Sequence, residues 1–258
     1  MNKLSVLAGV LAVTFLASCG PTTETKTGVG YGLVHLHYVG VSELTTVDGV
    51  VTEASFEEYF LPYSWAKVTA VAGTIDTVTV VTTSRTTNLP VPTVYAQHVK
   101  IGEKIFTIEV SGEEGSQTFK YSSTGITDID AWVANEDNAQ WYVQQIEANA
   151  YGFVNASGTP ITTFELADAS AKVSMRKSES GYWTVDSPGL GWSGNMDAIV
   201  DLLVGSAMDF DPADFTKATA APLVWGNGVV TTGATVKDFK DYLSLALRAF
   251  ANLEVIEA

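Results

Sequence analysis

Thr235 closes the run TTGAT (231–235) and stands directly ahead of an amphipathic pattern, VKDFKDYLSLALRAF. A threonine at that place has two chemistries. As an N-cap its hydroxyl accepts a hydrogen bond from the first helical turn, worth about 1 kcal/mol, and Asp238 completes a capping-box arrangement with Asp in place of Glu. As an ester acceptor, the same oxygen can carry a phosphate, whose charge the unpaired amides and positive dipole end of a helix N-terminus stabilise. Gly233 and Ala234 leave almost no side chain beside the hydroxyl, so a bulky group can approach. A cap has no use for such a pair. His35 and His37 sit two apart in a strand-like pattern and share a face on which they could ligate a metal. They lack a third ligand at convincing spacing, so paired core or surface histidines are the plainer reading. SPGLGWSGN (187–195) is Gly-rich but has neither the Lys of a P-loop nor the strand context of a dinucleotide fingerprint, and reads as a loop.

The elements that must position Thr235 are legible from their periods. Period-two alternation in GYGLVHLHYVGV marks a strand, and Asp48-Gly49 in TVDGVV marks a hairpin turn. From 67 to 121 the chain is rich in Val, Thr, Ile and Phe and broken by Gly, which predicts several short strands and reads as a β-rich insertion. The period then changes. Ala139, Tyr142, Val143, Ile146 and Ala150 fall at helical spacing, with Asn135 as N-cap and Glu136 and Asp137 in the first turn. A short helix is expected over 195–204, closed by Gly205. The last helix is expected over 236–253, burying Phe239, Leu243, Ala246, Leu247 and Phe250 and turning Lys237, Lys240 and Asp241 outward. These elements predict an α+β fold: one domain, 28–258, with antiparallel sheets and packed helices.

The first 18 residues carry a positive n-region at Lys3 and an apolar run from Leu4 to Ala17, too short for a typical membrane span. LASC (16–19) then resembles the lipobox of bacterial lipoproteins. By that resemblance 1–18 is a signal peptide and Cys19, the one cysteine in the chain, is lipidated. Residues 19–27 are a tether, and the mature protein is extracytoplasmic and held to a membrane by its lipid. With its thiol so used, the chain retains none for a disulfide, an iron–sulfur cluster or a thiolate metal site. Its 29 acidic against 14 basic residues repel phosphate backbones, which argues against nucleic acid as a partner.

TTGAT and its helix also resemble the flavinylation motif of the covalent FMN-binding domain family, whose pattern is Asp-x-x-Ser/Thr-Gly-Ala-Thr/Ser. The segments GYGLVHLHYVGVSELTTVDGVVTEASFEEYFLPYSWAKV and WVANEDNAQWYVQQIEANAYGFV are similar to the family's opening hairpin and middle helix. The resemblance implies FMN joined through its phosphate to Thr235 by a flavin transferase, with Thr232, Gly233 and Ala234 completing the motif. It further implies an electron carrier, rather than a stand-alone enzyme, working between a redox partner protein or quinone-linked donor and an extracytoplasmic acceptor. The flavin ring then needs an aromatic wall, for which Trp225, Trp141 and Tyr142 are the leading candidates, ahead of Trp132, Trp183 and Trp192. Val229 stands at the position of the family's Asp. The alternative is a surface lipoprotein of the same fold that has lost its flavin and serves in binding or adhesion.

Overall fold

In the computed structural model the described residues are 23–69, 75–84, 86–184 and 190–256; the signal peptide, Cys19 and part of the 187–195 loop lie outside them. The chain opens with a meander of β1 (Thr25–Val34), β2 (Tyr38–Val47) and β3 (Val50–Phe60), paired antiparallel throughout. Asp48 and Gly49 both take positive φ, 52° and 81°, as a two-residue turn of matching twist requires. A short α1 (Pro62–Trp65) leads to the hairpin of β4 (Thr77–Thr83) and β5 (Pro90–Ala96), then to β6 (His98–Ile101), β7 (Lys104–Ser111) and β8 (Thr118–Ser122). After α2 (Ile129–Val133) and α3 (Glu136–Glu147), β9 (Tyr151–Val154) returns to pair on β6, and β10 (Pro160–Ile161) pairs on β9. The chain closes with α4 (Gly191–Leu203), the small hairpin β11 (Thr216–Lys217) and β12 (Trp225–Gly226), α5 (Phe239–Ala251) and β13 (Glu254–Val255).

Two larger antiparallel sheets result, in the orders β13-β1-β2-β3 and β10-β9-β6-β7-β8, beside the two-stranded β4-β5 and β11-β12 ribbons, so the fold is α+β as expected. The strands of 67–121 build most of the second sheet. Their Val99, Ile101, Phe106 and Tyr121 share one core with Val39 and Phe60 of the first sheet and Tyr142 of α3. A second core joins Leu44 and Val51 to α4 and α5 through Trp192, Ile199, Phe239 and Leu243. Asn135 caps α3 as its sequence predicts, accepting the Asn138 amide at 3.3 Å. Strand β1 begins earlier than the tether reading allows: Thr25 to Thr27 pair with Val47 to Thr45, and Lys26 also pairs with Val255 of β13.

Helix α5 lies along β1 and runs antiparallel to it, with Asn252 bonded to the Val29 carbonyl at one end and Asp241 to the His35 amide at the other. The contact is very close. A methyl group on Gly28 would stand 2.1 Å from the Ala249 carbonyl oxygen, and one on Gly30 would stand 2.4 Å from that of Leu245. Backbone atoms cannot yield as side chains can. Gly30→Ala is therefore expected to push α5 off the sheet and to cost about 3 kcal/mol, the upper end of ordinary overpacking. A urea-unfolding midpoint measures the loss.

Candidate functional site

The segment carrying Thr235 has no regular structure, yet its backbone is fully partnered. The Trp225 amide donates to the Ala234 carbonyl at 3.1 Å, and the Ala234 amide donates to Thr232 Oγ1 at 3.2 Å. Asn195 Oδ1 accepts the amides of Thr235 and Val236 at 2.6 and 2.8 Å. On the carbonyl side, Lys217 Nζ donates to Thr235 at 2.5 Å and Trp225 Nε1 to Val236 at 2.7 Å. Each of the six main-chain polar groups from Ala234 to Val236 is thus satisfied, which buried chain outside helix and sheet needs. The Thr235 hydroxyl is the loosely held member. Among the described residues it reaches only Asn195 Oδ1, at 3.3 Å, an oxygen that already takes two shorter bonds.

This arrangement corrects the capping reading. Helix α5 starts at Phe239, four residues beyond Thr235, and Asp238 at its N-cap makes no side-chain capping bond. Asn195, forty residues earlier, takes the Thr235 amide that the Asp238 carboxylate of a capping box would have taken, and the Val236 amide besides. It can do so because α4 begins at Gly191 rather than at 195, which places Asn195 in the first turns of that helix, fully buried, with Nδ2 donating to the Gly191 carbonyl at 2.6 Å. Around the motif, exposure alternates: Thr231 and Gly233 face solvent, Thr232 and Ala234 are buried, and Thr235 is half-buried. Lys217 puts a positive charge beside Thr235, and the indole of Trp225 lies nearly parallel to Phe239, 5.3 Å between centroids at 14°. Val229, at the tip of the preceding turn, is 91% exposed.

The other aromatic candidates divide between the two cores. Trp225, Trp183 and Trp192 belong with α4 and α5, on the side of Thr235. Trp141, Trp132 and Tyr142 belong to the core of the second sheet. Tyr142 is fully buried, accepts from Trp65 Nε1 and donates to the Phe60 carbonyl at 2.6 Å, so its ring and hydroxyl are committed to the interior. Trp132 and Trp141 meet edge to face at 5.3 Å, with Lys104 Nζ just under 6 Å from both rings. Of the principal cavities among the described residues, none borders 225–236. One of about 280 Å³ is walled by Trp65, Tyr151, Phe153, Phe164 and Met175.

Sequence reasoning missed Glu58. Its carboxylate is fully buried at the meeting of β3, α4 and α5, where Oε1 accepts Trp192 Nε1 at 2.6 Å and the Tyr242 hydroxyl at 2.5 Å. Oε2 pairs with Lys177 Nζ at 2.6 Å, and that ammonium also lies 3.8 Å from the centre of the Tyr38 ring. Burial, followed by the charge on Glu58, lifts the Tyr242 hydroxyl far above its ordinary range, so it stays protonated and remains a donor. Trp192 and Tyr242 sit on the two helices that frame Thr235. The carboxylate therefore fixes their separation. The one signal in the sequence is a second acid at a strand position, Glu57-Glu58, where alternation turns one of the two inward.

The two histidines do not share a strand face. They belong to a three-residue turn in which His35 and Leu36 both take positive φ, and their rings go to different helices. His35 Nδ1 bonds Asp238 and its amide donates to Asp241 at 3.2 Å; His37 Nδ1 bonds Asp130 of α2 at 3.0 Å and its ring packs 4.6 Å from Tyr63. Asp241, expected to point outward, is half-buried by this contact. Among the described residues no cluster of three or more His, Cys, Asp or Glu has metal-binding geometry.

Two expectations follow. Asn195→Ala removes the shared acceptor of the Thr235 and Val236 amides, and at about 1–3 kcal/mol for each unsatisfied buried group the loss is about 2–6 kcal/mol. Chemical denaturation measures it. Burial, opposed by the bond from His37, holds the Asp130 carboxyl above its ordinary range. A carboxyl raised on folding weakens the fold where it is ionised, and that cost disappears as pH falls through the raised value towards the unfolded one. The stability of Asp130→Asn relative to the unaltered chain is therefore greatest at neutral pH and declines on acidification through the carboxylate range. Paired urea titrations across pH check the slope.

No family model matches the chain, nor does any curated protein or solved structure. The likeness to the flavinylation motif rests on 229–235 and the two segments that accompany it.

Proposed function

We propose that the protein is a lipid-anchored extracytoplasmic flavoprotein that carries electrons through an FMN esterified to Thr235. The observation that carries this reading is the state of the Thr235 hydroxyl. It is half-buried, its one hydrogen bond among the described residues is long, and the backbone around it is satisfied without it. The oxygen can be esterified without unpairing any backbone group. The residues present suit a phosphate: Lys217 supplies a cation at the Thr235 carbonyl, and the exposed Gly233 leaves a side open. They suit a ring system only on the open face, where Trp225 backed by Phe239 offers a flat aromatic surface. When bound, the flavin supplies the redox chemistry; the chain tethers the phosphate, neutralises part of its charge and packs one side of the ring. A covalent link suits a location outside the cell, where a dissociated cofactor would be lost.

A second reading is a flavin-free lipoprotein of the same fold, serving in binding or adhesion. Val229, fully in solvent where the motif resembled has an Asp, favours it.

The intact mass of protein matured with its flavin transferase separates the two. An added flavin mononucleotide that disappears in Thr235→Ala, with loss of yellow colour, supports the carrier. A colourless protein of unmodified mass sinks it. The same variant costs stability by no more than about 1 kcal/mol under either reading, because the hydroxyl makes a single weak bond.

A further inference from the structure

Away from the segment that carries Thr235, the cavity of about 280 Å³ at β9 has walls built largely of aromatic rings. Tyr151 and Phe153, two apart on β9, take the face of the second sheet that Ile101 and Val99 of β6 share, opposite them in register. Trp65 of α1 meets both rings edge to face, at 5.5 and 5.7 Å between centroids. Phe164 meets Phe153 in the same way at 4.3 Å. Strand β10 pairs with β9 only at Phe153 and Val154, so Tyr151 has no strand beside it on that side. The rim is apolar and wet: Phe164 is 38% and Val173 69% exposed.

The wall opposite β9 is fixed by main-chain bonds at two places. The Thr69 amide donates to the Glu165 carbonyl at 2.8 Å and the Ala167 amide to the Lys67 carbonyl at 2.9 Å, which places Phe164 and Leu166. Ten residues on, the Phe60 amide donates to the Met175 carbonyl at 3.1 Å and the Lys177 amide to the Glu58 carbonyl at 2.8 Å. The chain between these ties supplies Ala171, Val173 and Met175 to the cavity. Walls held in this way exist before a guest arrives, as those of small-molecule sites largely do. A second cavity, of about 300 Å³, shares Tyr151, Val173, Ser174 and Met175 with the first, so the two adjoin.

The polar groups on these walls are nearly all engaged. Lys172 Nζ lies 3.7 Å from Glu165, and Arg176 of the adjoining cavity pairs with Glu147 at 2.6 Å. Trp65 Nε1 donates to the Tyr142 hydroxyl at 3.2 Å, and the Ser174 hydroxyl to Glu179 at 3.0 Å. The Tyr151 hydroxyl is left, without a partner among the described residues, as the side-chain group that can hydrogen-bond a guest. Cations already held by carboxylates give a charged guest nothing to pair with, and burying an unpaired charge is costly. Rings set edge to face favour another ring in the same geometry. We propose that this cavity binds a neutral aromatic molecule of one or two rings whose hydroxyl or carbonyl group meets Tyr151. Its volume stands at the lower end of small-molecule sites, about 300–1,000 Å³, in keeping with so small a guest. Trp65, Tyr151 and Phe153 belong to the core of the second sheet, so the proposal is independent of the flavin reading of Thr235.

Titration calorimetry of the whole chain with 2-naphthol, which is uncharged at neutral pH, tests this. The comparators are 2-naphthalenesulfonate, with the same rings and a negative charge, and cyclohexanol, with a hydroxyl and no aromatic ring. Saturable 1:1 binding of 2-naphthol is expected, with each comparator weaker by about ten-fold or more. Val173→Trp fills the rim from an exposed position and is expected to abolish the binding. Tyr151→Phe keeps the ring and is expected to weaken binding by about three- to ten-fold, the loss of one hydrogen bond. Absence of saturable binding, equal affinity for the sulfonate, or binding undiminished by either variant overturns the proposal. Nuclear magnetic resonance of the unaltered chain locates the site without a substitution. Shifts of the Trp65 indole N–H and the Met175 methyl on adding 2-naphthol support it, and shifts at Trp192 and Trp225 in their place overturn it.

Discussion

The contact on which most of the molecule depends is the one between α5 and the glycine face of β1. At Gly28 and Gly30 the helix backbone comes so near the strand that no side chain fits between them. That proximity lets the main chains of helix and sheet pack directly and brings Leu245, Ala246 and Ala249 to full burial. It also fixes direction. With Asn252 at the start of β1 and Asp238 at its end, the residues just before α5 must arrive beside the β1–β2 turn. The place of the TTGAT segment is a consequence of where the helix has to lie.

A second constraint sets how far apart the helices stand. Glu58 draws donors from α4, from α5 and from the 166–184 region onto one carboxylate. A buried ion pair is at best weak evidence for stability, because desolvation offsets much of the attraction. What it supplies is geometry: three hydrogen bonds and a cation stacked on Tyr38 leave little freedom in the spacing of those elements. Asn195 then works across the gap so defined. Helix α4 delivers its side chain to the backbone of 235 and 236, and Lys217 and Trp225 close the opposite side. The site is assembled by the packing of two helices on a sheet and not by the local sequence at Thr235.

That distinction explains what the sequence disclosed. Features held by near neighbours were readable: the Asp48-Gly49 turn, the alternation of β1 to β3, the helical stripe of α3 with its Asn135 cap. Features decided at long range were not. The run from Thr235 to Asp238 has the composition of a capping box, yet an acceptor forty residues away, buried and already anchored to Gly191, takes the Thr235 amide in place of Asp238. His35 and His37 alternate as strand residues do, but the Leu36 turn reverses the chain between them and two separate helices offer carboxylates. Glu58 looks like one acid among many, and only the fold supplies the lysine that neutralises it, 119 positions later.

The same accounting bears on why a hydroxyl stands at position 235. Local stability does not ask for one. Every backbone group from Ala234 to Val236 has a partner that is not Thr235 Oγ1, and the acceptor that the hydroxyl does reach is saturated by two shorter bonds. Burial does not ask for one either, since a half-buried site between Ala234 and Val236 would accept an aliphatic side chain at least as well. Thr232 is the contrast: its hydroxyl is buried and accepts the Ala234 amide, so its polarity is used by the fold. Of the two threonines flanking Gly-Ala, one holds the turn together. The other has an oxygen that satisfies no backbone group among the described residues, with Lys217 on its own carbonyl and the exposed Gly233 two residues before it.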